Sequence, residues 1–367
     1  MSKVGILSMQ RIKNYGSFLQ AYGLKNVIEE LGHEVEFVDY HVGKPVIVEE
    51  KKNGKIQKGV EVFKYDAKLS HKIQYIIHKN NFGKKYYKLL NLTEQPNYTP
   101  QLDTLVIGSD EVFNCIQKNE NVGYSLELFG KNNNANRVIT YAASFGNTTI
   151  EKLKKYNKCD EIQELLNKMD AISVRDSNSK SIAETLTDKK CECNLDPVLI
   201  YDYANKCKEI PDIKPKEKYM IVYAYNGRIS NSEADWIKDF AKTNHLKVYS
   251  IGGAQKCADK FIDCSPFEVL AYFKNAEFII TDTFHGTIFS IIMHRNFSTI
   301  VRKSVGNEYG NEEKLTDLLK RLNLEERIVK NIEDVEKMYN QTIDYQTTDK
   351  IILEERKKSY EYLKENI

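Results

Sequence analysis

The sequence predicts an α/β protein: two doubly wound, Rossmann-like lobes facing each other across a cleft. Three observations predict this. Short apolar runs of strand length alternate with longer stretches of helical spacing, the pattern of successive βαβ units. The alternation breaks once, at the charged, non-periodic stretch 202–218 that holds Pro211 and Pro215, and then resumes. Most of the strand candidates end in a polar cluster, as the ligand-facing edge of a parallel sheet requires. A chain of 367 residues also exceeds what one core ordinarily organises.

Taken in order, residues 3–8 (KVGILS) read as the first buried strand. A polar loop over 9–16 follows, Ser17 is a candidate N-cap, and Leu24, Val27, Ile28 and Leu31 keep helical spacing until Gly32 stops the helix. A strand at 35–40 completes a crossover that should be right-handed between parallel strands. Asn53-Gly54, between VIVEEKK and KIQKGVEVF, predicts a hairpin over 46–63. Residues 70–90 read as a basic helix in which Tyr75, Ile76, Phe82, Tyr86 and Tyr87 interleave with lysines. Strands at 104–107, 138–142 and 171–174 end in polar clusters at 108–114, 143–146 and 175–176, and LDPVL at 195–199 closes this half.

The second half opens with a strand at 219–225, a helix at 230–244 and a strand at 246–251. Ser265-Pro266-Phe267-Glu268 is a capping box with proline at the first helical position, opening a helix to about Asn275. Later come a strand at 298–301, a polar loop with Arg302, Lys303 and Asn307, and a helix at 312–322. A last helix over 349–366 is expected to pack back across the first half. The expected domains are 1–201, carrying a basic insert at about 44–100; the linker 202–218; 219–344; and a C-terminal helical segment, 345–367. This two-lobed plan resembles the GT-B arrangement of many sugar-modifying transferases.

Composition narrows the function. Charged residues are 29% and hydrophobic residues 41%, as in a soluble globular enzyme. The net charge of +2 offers no global signal for nucleic-acid binding. The charge is uneven: residues 44–88 hold 12 lysines and no arginine against 4 acids, a local +8, so the remainder carries −6. This basic segment reads either as a surface for anionic membrane or a lipid-linked substrate, or as a solvated face over an aromatic core face. Seven cysteines, no run of 18 apolar residues and no apolar signal region in MSKVGILSM fit a reducing cytoplasm. Cys191-Glu192-Cys193 lacks a second pair at ligand spacing, so no metal site is expected.

The chain is organised around 277–293, EFIITDTFHGTIFSIIM. A buried strand over 278–280 runs into a polar turn, and an almost wholly apolar helix follows from 288. His285 therefore stands at the carboxyl end of a strand, beside helix N–H groups and a dipole that favour an anion. Gly286 would let a ligand approach the backbone. The plainer reading of His285 is a satisfied structural histidine.

NYGSFLQAYGL, GSDEVFN, YAASFG, ISVRD, LDPVL and TDTFHGTIFSI occur in that order. Over about residues 4–322 the chain thereby resembles the polysaccharide pyruvyl transferase family. The resemblance implies a GT-B-like fold and transfer of pyruvate from phosphoenolpyruvate to two hydroxyls of a saccharide, forming a ketal in cell-envelope polysaccharide biosynthesis. No cofactor is implied, and the acceptor is expected to be lipid-linked and met in the cytoplasm, at the inner face of the membrane. Two departures stand out. The family pattern resembles G-S-D-Q-[VI]-W-N, where this chain has Glu111 and Phe113, and Lys314 stands where relatives often carry arginine.

On this reading His285 is the candidate general acid or phosphate contact. Arg175, Gly286, Arg302 and Lys303 join it in binding the donor. Asp110 is the candidate general base or acceptor contact, with Asn14, Tyr15 and Asn114 orienting the acceptor. Arg175-Asp176 as a helix-start pair, Asp110 as an N-cap, and Arg302 and Lys303 as surface charges are the plainer alternatives. Two other functions stay open: a glycosyltransferase using a nucleotide sugar, and a non-catalytic carbohydrate-binding relative, which the changes at Glu111 and Phe113 would suit.

Overall fold

The computed structural model describes residues 1–47, 62–303 and 310–367. The predicted hairpin at Asn53-Gly54 and the loop residue Asn307 lie outside the described residues.

In the first lobe, β1 (Lys3–Leu7), β2 (Glu34–Val38), β3 (Gln101–Ile107) and β4 (Asn134–Thr140) form a parallel sheet ordered β2-β1-β3-β4. β5 (Ile172–Val174) and β6 (Cys191–Cys193) pair in parallel, and single bridges Ile139–Ala171 and Ala143–Val174 align them with β4. In the second lobe, β7 (Tyr219–Tyr223), β8 (Lys247–Ile251), β9 (Lys260–Phe261), β10 (Phe278–Thr281), β11 (Phe297–Ile300) and β12 (Ile328–Val329) form one parallel sheet ordered β12-β11-β10-β7-β8-β9. That is the doubly wound dinucleotide-fold order, with its switch point between β7 and β10. The first lobe has its switch point between β1 and β3.

Both main sheets are covered on both faces at their centres, which is why central strands such as β7 (YMIVY) and β10 (FIIT) are buried along their whole length. Ile6 and Val106 belong to one buried cluster, while Leu7, Leu105 and Ile107 belong to another. The first of these clusters continues into the second lobe through Ile221, Tyr223 and Ile279. The lobes meet through helices Tyr15–Glu30 and Pro266–Asn275, where the Phe267 ring lies 4.9 Å from Tyr22 and 5.7 Å from Phe18, edge to face. Helix Tyr345–Asn366 lies against first-lobe elements: Tyr362 Oη donates to the Thr140 carbonyl at 2.9 Å, and Arg356 Nε to the Leu199 carbonyl at 2.9 Å. Within 202–218, residues Tyr203–Lys206 form a helical turn with the Tyr203 ring fully buried.

Three helix starts differ from the sequence reading, the last helix beginning at Tyr345 and not at Asp349. The first helix begins at Tyr15, because Asn14 Oδ1 accepts the Ser17 N–H at 2.7 Å and takes the capping role expected of Ser17. The central helix spans Phe284–Ile292, starting four residues early, because Thr283 caps it through the Gly286 N–H at 2.9 Å.

Candidate functional site

The two switch points face each other. Loops leaving β1, β3, β7 and β10 at their carboxyl ends enclose a cavity of about 550 Å³, where open parallel sheets bind ligands. Six lysines (13, 79, 118, 152, 155 and 314) and two arginines (175 and 228) line it, against Asp110, Glu111 and Asp282. A protein of net charge +2 therefore concentrates positive charge here.

At the floor, Asp196 joins the lobes. Its Oδ2 accepts Arg175 Nη1 at 2.8 Å and lies 3.5 Å from His285 Nε2, while Oδ1 accepts the Val198 N–H at 3.0 Å. Burial alone would raise its carboxyl, but His285 and Arg175 outweigh that and hold it at about 2. At 3.5 Å the His285 contact is an ion-pair approach rather than a good hydrogen bond, and His285 Nε2 has no hydrogen-bond partner. The ring is pinned from behind by Gly16: a Cβ there would lie 2.2 Å from His285 Nδ1. The Arg175 guanidinium is buried, stacks 4.2 Å over the Phe284 ring, and leaves Nε without a partner. Buried polar atoms without a protein partner beside a cavity are open to a ligand.

Asp110 sits at the first-lobe switch point with φ +72°. Its Oδ2 accepts Ser17 Oγ at 2.7 Å, and its Oδ1 accepts the Glu111 N–H at 3.0 Å and lies 3.8 Å from Arg175 Nη1. The two departures from the family pattern meet across the cleft, where Glu111 Oε1 pairs with Lys314 Nζ at 2.9 Å. Asn114 Nδ2 donates to Glu111 Oε2 at 2.8 Å. Burial would raise the Glu111 carboxyl, yet Lys314, Arg175 and the Asn114 amide hold it at about 2. An amide at 111 would be neutral, so this carboxylate offsets one cavity cation.

Asp282, three residues before His285, is buried with neither carboxylate oxygen hydrogen-bonded; its nearest cation is Arg228 Nη1 at 3.5 Å. Burial lifts its carboxyl above the ordinary range, and Arg228 only partly counters this. Arg228 also stacks 4.8 Å over Tyr225. From the basic helix, Lys79 donates to the Lys13 carbonyl and lines the cavity; burial and Lys13 lower its ammonium to about 8.

Of the residues singled out from sequence, His285, Arg175, Asp110, Asn114 and Asn14 line this cavity, though Asn14 spends its oxygen as a helix cap. Four others are placed differently. Tyr15 is buried between the lobes, donating its hydroxyl to the Cys264 carbonyl at 3.1 Å, so it packs rather than faces the cavity. The Gly286 N–H is taken by Thr283, and a Cβ there would lie 2.2 Å from Thr281 Oγ1 and 2.6 Å from Tyr223. Gly286 thus serves close helix–strand packing and not ligand approach. Arg302 Nη2 donates to both carboxylate oxygens of Glu233, at 3.0 Å each, outside the cavity lining. Lys303 lines an adjoining hollow of about 200 Å³. The sequence reading missed Asp196, Arg228, Asp282 and Lys79. The available signals are the LDPVL motif for Asp196, the strand-end positions of Arg228 and Asp282, and for Lys79 only its place in the basic helix at 70–90.

Among solved structures, the fold is similar to the UDP-GlcNAc 2-epimerase of Methanocaldococcus jannaschii (10% identity, 96% of this chain and 99% of that one, TM-score 0.48). It is also similar to an α-glucosyltransferase solved with UDP and a 13-mer DNA (12%, 100% and 95%, TM-score 0.46) and to CalG4, the calicheamicin glycosyltransferase (10%, 98% and 95%, TM-score 0.43). No curated protein matches the chain. The family model for polysaccharide pyruvyl transferase matches residues 14–304, a span holding every switch-point loop except the first residues after β1, and the chain accordingly belongs to that enzyme family.

Proposed function

We propose that the protein transfers pyruvate from phosphoenolpyruvate onto two hydroxyls of a lipid-linked saccharide, at the cytoplasmic face of an anionic membrane, in cell-surface polysaccharide biosynthesis. The observation that carries this is the concentration of cations, with orphaned buried polar atoms on Arg175 and His285, around one cavity between the lobes. Phosphoenolpyruvate bears a carboxylate and a phosphate, and a planar guanidinium suits either. Arg175 and Arg228 approach from opposite lobes, and the lysines supply the remaining neutralisation.

The donor carries both the activated carbon and the leaving group, so the scheme needs no cofactor. A proton is delivered to C3, and the cationic character that develops at C2 is quenched by one sugar hydroxyl. The C2–O bond to phosphate then breaks, and the second hydroxyl closes the ketal. One hydroxyl proton balances the new methyl group and the other leaves with phosphate. His285 is the proton donor through Nε2, with Asp196 3.5 Å from that nitrogen and Gly16 packed behind the ring against Nδ1. Asp110 receives the acceptor hydroxyl, with Asn114 alongside.

The test is phosphate release from phosphoenolpyruvate with lipid-linked and simple glycosides, for wild type and His285→Ala. Acceptor-dependent release that the variant loses is the expected result. No release with any acceptor, together with tight binding of a nucleotide sugar, would replace this reading with glycosyl transfer. No release and no donor binding of either kind would leave a carbohydrate-binding protein.

A further inference from the structure

The helix Leu69–Tyr86 that sends Lys79 into the cavity has a second face with no partner among the described residues. Its inner face is anchored: Phe82 and Tyr86 are buried, and His78 Nδ1 lies 2.6 Å from Asp263 Oδ1. Its outer face carries Leu69, Ile73 and Ile77, which are 61%, 45% and 49% exposed. Spaced four apart, they form one stripe along the helix. Single exposed aliphatics are ordinary; an aligned row needs an explanation. Toward the carboxyl end the same surface continues into exposed Lys84 and Lys88, with Leu89 40% exposed beside them. Residues 67–93 contain six lysines and no acid.

We propose that this face docks on an anionic lipid bilayer, with Leu69, Ile73 and Ile77 entering the headgroup boundary and Lys84 and Lys88 meeting lipid phosphates. An apolar row bordered by lysines with no acid is the pattern of a helix lying in a membrane interface. A second copy of this chain fits less well, because self-pairing would bring two lysine-bearing, acid-free faces together. No helix among the described residues is long and apolar enough to cross a membrane, so the contact is peripheral. Lys79 leaves the flank of the same helix, which sets the cavity beside the bilayer surface. This last point rests on the reading of a lipid-linked acceptor; the docking itself does not.

The experiment is co-sedimentation of the full chain with vesicles of phosphatidylcholine alone and of equimolar phosphatidylcholine and phosphatidylglycerol, without donor or acceptor. Wild type should sediment with the anionic vesicles only. Leu69→Ser/Ile73→Ser/Ile77→Ser and Lys84→Gln/Lys88→Gln should each lower partitioning on the order of tenfold. Their melting temperatures and turnover of a water-soluble acceptor should stay at wild-type values. Equal sedimentation with both vesicle types, none with either, or undiminished binding by the serine variant would overturn the proposal. So would a wild-type dimer, seen by light scattering, that the serine variant dissolves. Because binding is read without substrates, absence of pyruvyl transfer would leave this result standing, and the converse also holds.

Discussion

Asp196→Asn tests the centre of the site. The carboxylate has no exposed surface and holds Arg175 at 2.8 Å and His285 at 3.5 Å. Its carboxyl stands at about 2 against an ordinary 3.8, and at ~1.4 kcal/mol per pKa unit the ionised form contributes roughly 2.5 kcal/mol to stability. Removing one partner of a buried ion pair typically costs about 3–5 kcal/mol. Asparagine has one amide oxygen, which can serve either Arg175 or the Val198 N–H but turns an NH2 toward the other donor, so a loss of ~3–5 kcal/mol is expected, or roughly 10–15 °C in Tm for lobes of this size. The folded carboxyl titrates below the unfolded one. Its contribution is therefore complete above pH ~4 and is lost as pH falls through about 2. Urea unfolding of both proteins across this range should show a difference that is constant near neutrality and shrinks in acid. If Asp196 also orients the proton donor, kcat should fall by about 10²–10⁴. A variant that loses stability but keeps wild-type kcat and its pH profile would show Asp196 to be structural only and refute the role given to the Asp196–His285 pair.

Three further outcomes follow from the same geometry. Gly16→Ala should be tolerated by the helix, where alanine is intrinsically favoured by ~1 kcal/mol, yet its Cβ would meet His285 Nδ1 at 2.2 Å. Turnover should drop by roughly tenfold or more as the ring moves, and unaltered turnover would contradict the placement of His285. Arg228→Gln should raise KM for phosphoenolpyruvate by about 10–100-fold, the worth of a charge-assisted contact, with kcat less affected; an unchanged KM would remove Arg228 from the donor site. Lys79 has its ammonium lowered to about 8, so the cavity loses one charge as pH rises through that value, and KM for an anionic donor should climb there. Lys79→Met should show the high KM at all pH values and no step. Its folded pKa lies below the unfolded one, so the buried charge is destabilising below pH ~8, and the variant should melt higher than wild type at neutral pH.

Much of this architecture is legible without coordinates because burial is written locally. The apolar runs that became β1, β7 and β10 are buried on both faces, and the capping box at Ser265 and Glu268 opens its helix where the spacing places it. Strand ends are legible for the same reason, so His285, Arg175 and Asp110 were found as members of polar clusters at the carboxyl edge. Which partner each side chain takes was not legible. Tyr15 and Asn14 are neighbours in one loop, yet one packs between the lobes and the other caps a helix at the cavity rim. Arg302 leaves its strand as plausibly as Arg175 does, but Glu233, 69 residues away, captures it. Asp196 lies 89 residues before His285 and becomes its counter-ion only when the lobes close together. The alternation of strands and helices and the titratable groups at the sheet edges can be read along the chain, because those depend on the burial pattern of adjacent residues. The ion pairs, the stranded polar atoms and the arrival of Lys79 from the inserted helix arise only on folding. Those depend on ångström-scale distances between segments that only the strand order and the packing of the two lobes bring together.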